Sequence, residues 1–109
     1  MHRLFVYGTL RDADVQRALW AREAPLVPAE LPGYRVDSLR IQNDIVVRLS
    51  GISTHRILVA DPDAKTPVSG YVIELDDREL GITDHYEGSE YRRVSATLTD
   101  GSRVWVYVR

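Results

Sequence analysis

Apolar positions along this chain come in short runs, and the period of those runs changes several times. Leu4-Phe5-Val6 is apolar and is broken by Tyr7-Gly8-Thr9, so residues 3–7 read as a first strand. From Asp12 the spacing becomes helical. Val15, Ala18, Leu19 and Trp20 fall on one stripe, and Asp12 suits an N-cap, which predicts a helix over 12–23 with Trp20 in the core. Pro25 and Pro28 end it, and Pro32-Gly33 turns the chain. Tyr34 to Ile41 alternates and reads as a strand. Asn43-Asp44 is a turn, and the β-branched run Ile45 to Leu49 is a further strand. Ser50-Gly51 with Ser53-Thr54 is a loop, Ser50-Gly51-Ile52-Ser53 a polar turn within it, Ile57-Leu58-Val59 a short strand, and Asp61 to Pro67 a surface loop. Val68 to Leu75 is a strand whose interior Gly70 marks a bulge or a close backbone approach.

Asp76 followed by Glu79 has the spacing of a capping box. It predicts a helix to about Tyr86 that stops at Gly88, with Gly88 in the left-handed cap position. Gly81 inside it costs about 1 kcal/mol relative to alanine. Tyr91 to Leu98 and Arg103 to Val108 flank Asp100-Gly101, a strong hairpin signal. Taken as a two-residue loop, that dipeptide pairs Leu98 with Arg103 and Ala96 with Trp105. Val94 then shares a face with Tyr107, while Tyr91 and Arg93 share the other with Val104 and Val106. Few helices among many short strands predict one α+β domain over residues 1–109. Its sheet is expected to curl into a small mixed β-barrel-like form with flanking helices.

Composition narrows the chemistry. The 109 residues are 44% hydrophobic and 28% charged and contain no cysteine, which excludes disulfides, thiolate catalysis and Cys-based zinc sites. A net charge of −2 argues against a nucleic-acid partner. No run of 18 apolar residues exists and the N-terminus runs directly into a strand, so neither membrane insertion nor a signal peptide is expected, and the expected location is cytoplasmic. His2, His55 and His85 have no metal-ligand spacing. There is no phosphate loop, dinucleotide fingerprint or nucleophile elbow. No metal and no cofactor are expected.

Two stretches remain as candidate chemistry. At Tyr7-Gly8-Thr9-Leu10 a strand hands over to a helix, which leaves backbone N–H groups unpaired in the manner of an anion cradle; an ordinary tight turn has the same pattern. Asp84-His85-Tyr86-Glu87-Gly88-Ser89-Glu90-Tyr91-Arg92-Arg93 is the densest polar cluster, and as a solvated helix end it would need no further role. Glu87 would sit at the helix C-terminus, where the dipole opposes its charge. Asp84 and Glu90 push the same way, Arg92 and Arg93 push back, and shielding from water would raise its pKa toward proton-transfer use.

Together, Phe5-Val6-Tyr7-Gly8-Thr9-Leu10, Asp84-His85-Tyr86-Glu87-Gly88, Tyr91-Arg92-Arg93 and the final Trp105-Val106-Tyr107-Val108 resemble the γ-glutamylcyclotransferase-like (AIG2-like) family. Leu31-Pro32-Gly33-Tyr34-Arg35 and Ser69-Gly70-Tyr71-Val72 fall where that family has similar stretches. The resemblance implies a six- or seven-stranded barrel-like sheet. It also implies a pocket in which Tyr7, Gly8, Thr9 and Leu10 hold a γ-glutamyl or 5-oxoproline group through backbone N–H groups. Glu87 is then the general acid/base, Tyr91 a substrate-binding residue, and Tyr107 a weaker match. Thr83-Asp84 stands where the family has leucine-aspartate, and Ile52 to Lys65 matches poorly, in the stretch where substrate-side selectivity would lie. The implied activity is intramolecular attack of an α-amine on a γ-glutamyl carbonyl, releasing 5-oxoproline and an amine, with a small γ-glutamyl molecule as the only implied partner. A non-catalytic ligand-binding or interaction module on the same fold stays open, as does a related amide-cleaving or acyl-transfer reaction using the same Glu87.

Overall fold

A computed structural model describes residues 1–40 and 54–109. The strand over Ile45–Leu49 and the turns at Asn43-Asp44 and 50–53 lie outside those residues. Among the described residues the chain runs β1 (His2–Val6), a single 3-10 turn (Thr9–Arg11), α1 (Ala13–Trp20), β2 (Val27–Leu31), β3 (Tyr34–Arg40), β4 (Thr54–Ala60), β5 (Val68–Leu75), α2 (Asp77–Glu87), β6 (Arg92–Thr97) and β7 (Arg103–Val108). The expected α+β architecture holds. Seven strands form one mixed sheet, in the order β2-β5-β1-β7-β4-β3 with β6 beside that path on β7.

The sheet forks at β7. Along one edge β6 pairs with it residue for residue, antiparallel, from Arg92↔Val108 to Thr97↔Arg103. The other edge is shared by two parallel strands, β1 at Leu4↔Trp105 and β4 at Leu58↔Val108. Among the described residues the ladder does not close into a true barrel. One hydrogen bond, Thr99 N–H to the Glu30 carbonyl at 3.1 Å, ties the β6–β7 turn back to the outer strand β2.

Both faces of the central strands are buried. Leu4, Val6, Ile73 and Leu75 pack under Val15 and Trp20 of α1 and Leu80 and Tyr86 of α2. Phe5, Leu31, Val72, Val104 and Val106 fill the inside of the curl. This is why β1 reads as a continuous apolar run rather than an alternating one. Gly70 on β5 makes the close approach its position suggested. A Cβ there would lie 2.5 Å from the Val6 carbonyl oxygen and 2.7 Å from the Phe5 ring.

Three sequence expectations change. The first helix ends at Trp20 rather than Glu23, because Ala21 turns left-handed (φ 56°) well before the prolines. Its buried face holds Gln16 beside Val15 and Trp20, while Ala18 is exposed. Gln16 donates to the Leu10 carbonyl (2.8 Å) and accepts from Ala24 N–H (2.9 Å), stapling the segments before and after the helix. Residues Val27–Leu31 form a strand despite Pro28, which is tolerated because β2 lies at the sheet's outer edge. Lastly, Thr99-Asp100-Gly101 is a three-residue loop. Gly101 N–H reaches the Leu98 carbonyl (3.0 Å), Leu98 N–H reaches the Ser102 carbonyl (2.9 Å), and Gly101 has φ 87°.

Gly70→Ala is expected to lower the unfolding free energy by about 1–3 kcal/mol through overpacking. Gly81→Ala, where a Cβ meets nothing within 4 Å, should instead raise it by about 0.4–1 kcal/mol. Urea midpoints of the two variants, moving in opposite directions, check both.

Candidate functional site

The loop after β1 is anchored from both ends and bare in between. Tyr7 and Leu10 are buried in opposite core clusters. The Tyr7 hydroxyl sits in the fork of the sheet, donating to the Tyr107 carbonyl (2.8 Å) and accepting from Leu58 N–H (3.2 Å). It bridges β7 and β4 where their direct pairing gives out. The Tyr7 ring is therefore occupied structurally, and only its backbone is left for a ligand. Arg56 donates to the Tyr7 carbonyl (2.8 Å), and Arg11 to the Gly8 carbonyl through both its backbone N–H and its side chain (each 3.1 Å). Thr9 and Tyr86 share a hydrogen bond (3.1 Å) that ties the loop to α2. Among the described residues, the N–H groups of Gly8, Thr9 and Leu10 have no backbone acceptor.

Helix α2 begins with the anticipated capping box. Asp76 accepts from Glu79 N–H (2.7 Å) and Glu79 accepts from Asp76 N–H (3.0 Å). Glu79 is buried and also takes a two-point ion pair from Arg22 (2.6 and 2.8 Å). Burial alone would raise its pKa, but the Arg22 hydrogen bonds outweigh that and hold the carboxyl low. One turn later Trp20 donates to the Thr83 hydroxyl (3.0 Å). These contacts fix the helix whose last residue is Glu87. Gly88 follows with φ 78° and ψ −173°. Its φ is positive as expected, but the extended ψ places it in a region open essentially only to glycine and outside the left-handed helical one.

Burial pushes the Glu87 carboxyl up to about 8, and the Asp84 charge adds a smaller push. Among the described residues nothing hydrogen-bonds to that carboxyl. Neither Arg92 nor Arg93 offsets the shift, because Arg93 is committed elsewhere. Its guanidinium grips Asp84 with two hydrogen bonds (2.8 and 3.1 Å) and lies over the Trp105 ring at 4.4 Å. The Tyr107 hydroxyl donates to the same carboxylate (2.6 Å). Burial works to raise the Asp84 pKa, yet these donors hold it below the usual range. Asp84 is thus a fixed negative charge one helical turn from Glu87.

The three-residue hairpin loop corrects the expected faces of β6 and β7. Arg93 pairs with Tyr107 and Val94 with Val106. Sliding the register by one residue moves Tyr107 to the side of Tyr91 and Arg93. Tyr91 and Tyr107 accordingly line one cleft with Glu87 and Tyr7-Gly8-Thr9-Leu10, together with Arg56. The residues expected to bind substrate and to move the proton are therefore brought together. Asp84 raises the Glu87 pKa as its spacing of three on the helix indicated. Arg56 was not among the expected residues and carried no signal, and Tyr107 was only a weaker match. Burial and the Glu87 charge keep the Tyr91 phenol protonated, as a donor. The cleft is narrow, about 20 Å³, room for one water, so a larger ligand must shift part of its wall. A wider hollow of about 530 Å³ lies between β2 and the β6–β7 turn. Its acids, Glu30 and Asp100, are exposed and offer no comparable proton chemistry.

A family model described as "Gamma-glutamyl cyclotransferase, AIG2-like" matches residues 4–109. AIG2-like protein D of Arabidopsis thaliana is 35% identical over 105 residues, covering 94% of this chain and 60% of the relative. AIG2-like protein A of the same plant is 33% identical over 99 residues, covering 90% and 52%. The chain thus spans only about half to three-fifths of the length of these relatives. A solution structure of an Arabidopsis thaliana protein superposes with a TM-score of 0.73 at 28% identity, covering 98% of this chain and 67% of that one. A structure named Gamma-glutamyl cyclotransferase shares the fold at a TM-score of 0.69 and 16% identity, covering 98% and 65%.

Two outcomes test this geometry. Tyr7→Phe keeps the ring but orphans the Leu58 N–H and the Tyr107 carbonyl. At about 1–3 kcal/mol for each unsatisfied buried group, a clear loss in denaturation midpoint is expected. Glu87 holds its proton up to about pH 8 when folded, against 4.5 for the free side chain. Between those values the folded state binds more protons than the unfolded one, so this group's contribution to stability falls as pH rises. Glu87→Gln lacks that titration. Its stability relative to the parent should therefore improve from about pH 5 to about pH 8 and level off above that in paired urea titrations.

Proposed function

Because this chain belongs to the gamma-glutamyl cyclotransferase, AIG2-like family, we propose that it closes a γ-glutamyl group on itself, releasing 5-oxoproline and an amine. The observation that carries this reading is the pairing of one partly buried carboxyl of raised pKa, Glu87, with the N–H groups of the loop after β1 in a single cleft.

The chemistry follows from what each group offers. The Gly8, Thr9 and Leu10 N–H groups take the substrate's α-carboxylate, an anion suited to a strand-to-helix junction. This fixes the glutamyl chain in a folded shape with its amine against its own γ-carbonyl. Orienting an intramolecular attack in this way is worth about 7–11 kcal/mol of barrier. Glu87 in its ionised form accepts a proton from the α-ammonium, whose ordinary pKa of about 8 nearly matches its own. The freed amine forms the new N–C bond to the γ-carbon, and the Tyr91 phenol donates to the oxygen that gains charge. Glu87 then returns the proton to the departing nitrogen as the original amide bond breaks, takes the second proton that the ring nitrogen sheds on becoming the lactam, and passes it to the released amine, ending ionised as it began. Atoms and protons balance with no protein nucleophile.

Incubation with a panel of γ-glutamyl compounds, with mass spectrometry for 5-oxoproline, is the direct test. Turnover is expected to vanish in Glu87→Gln while calorimetric binding of 5-oxoproline persists; turnover that survives the substitution removes Glu87 from the mechanism. In the parent, kcat/KM should pass through a maximum near pH 8, rising as Glu87 ionises and falling as the substrate's α-ammonium is lost. Binding of 5-oxoproline without turnover of any compound would mark a ligand-binding module instead.

A further inference from the structure

Two charged residues stand just outside the cleft, and each is tied by the chain to a group inside it. Asp84 lies one turn before Glu87 on α2, and Arg93 lies on β6 two residues after Tyr91. Glu87 and Tyr91 line the cleft; Asp84 and Arg93 do not. The two-point grip of Arg93 on Asp84 (2.8 and 3.1 Å) therefore closes the segment that carries the acid near one end and the phenol near the other. Between those ends Gly88, Ser89 and Glu90 are exposed, and the hydrogen bond from Tyr91 N–H to the Gly88 carbonyl is long at 3.4 Å. The turn by itself does little to hold Tyr91. The ion pair is anchored further out. Arg93 lies over the Trp105 ring at 4.4 Å, and Asp84 accepts from the Tyr107 hydroxyl (2.6 Å), whose own residue takes the Tyr7 hydroxyl at its carbonyl (2.8 Å).

We propose that Arg93 and Asp84 form a clasp that sets the Tyr91 phenol against Glu87, which makes Arg93 a positioning residue for the reaction although it lies outside the cleft. The inference rests on the cyclotransferase reading above and deepens it. A partly exposed ion pair contributes little to stability by itself. Its two parallel hydrogen bonds do fix direction, because a planar guanidinium meets a carboxylate edge to edge. Tyr91 follows, since only Arg92 separates it from Arg93. Donation to an oxygen that gains charge needs such fixing: a displacement of about 1 Å can cost about a hundredfold in rate.

A double-mutant cycle separates positioning from mere support of the fold. In the parent, Arg93→Gln is expected to lower kcat/KM for a γ-glutamyl compound by about tenfold to a hundredfold. In Tyr91→Phe, where the phenol is already gone, the same substitution should cost no more than about twofold, because the two residues act as a unit. Arg93→Lys keeps the charge without the two-point grip and should recover only part of the loss. Should Arg93→Gln fail to fold, Arg93→Lys takes its place in the cycle. Equal losses in both backgrounds, or full activity in Arg93→Gln or Arg93→Lys, overturn the clasp and keep the cyclotransferase reading. Binding of 5-oxoproline to the same four proteins is measured calorimetrically. Weakening by Arg93→Gln that disappears in Tyr91→Phe, with no γ-glutamyl compound turned over by the parent, keeps the clasp and removes the cyclotransferase reading. Neither turnover nor binding removes both.

Discussion

The candidate site depends on one hydroxyl group. Two parallel strands meet the same edge of β7, and between them the ladder leaves a backbone donor on β4 and a backbone acceptor on β7. The Tyr7 phenol fills that gap, accepting from Leu58 and donating to Tyr107. An unsatisfied pair of buried backbone groups would be costly, so the fork is tenable because the tyrosine is there. The same side chain fixes where β1 stops, since with its ring drawn into the fork the next residues must leave the sheet. Gly8 and Thr9 thereby become a loop at the sheet's surface rather than the continuation of a strand.

The rest of the structure brings a carboxyl to that loop. Trp20 to Thr83, Arg22 to Glu79 and Tyr86 to Thr9 link α2 in turn to α1, to the segment after it and to the loop itself. With α2 held at three points, Glu87 has little freedom to swing into water. Asp84, one turn earlier, remains charged because Arg93 and Tyr107 satisfy it, and that fixed charge adds to the effect of burial on Glu87. Two neighbouring acids on one helix are thus divided by environment. One is solvated by protein donors and stays ionised, and the other is left bare and holds its proton.

Much of this was legible in the chain. Asp12 and Asp76 cap their helices as their spacing indicated, Val68–Leu75 and Arg103–Val108 are strands with the anticipated ends, and Gly70 marks a close approach. The two stretches chosen for chemistry share a cleft. The hairpin was legible in its location but not in its register. Asp100-Gly101 allows a two-residue or a three-residue loop, and the difference of one residue decides whether Tyr107 stands with Tyr91 or opposite it. The β2 strand was hidden by Pro28, whose place at a sheet edge is a property of the assembled sheet.

By itself the sequence determined the local elements, their caps and the residue types available for proton transfer and anion binding. These follow from interactions among residues close together along the chain. The tertiary structure alone decided what those residues are worth. Arg93 carried no mark of being spent on Asp84, and Arg56 none of standing beside a loop about fifty residues earlier. Nor did Glu87 carry any mark of lying in one cleft with the loop after β1 and two tyrosines from the far end of the chain. Each of these depends on desolvation and on contacts between distant segments. Such contacts exist only once the fork in the sheet has brought β1, β4, β7 and α2 to one place.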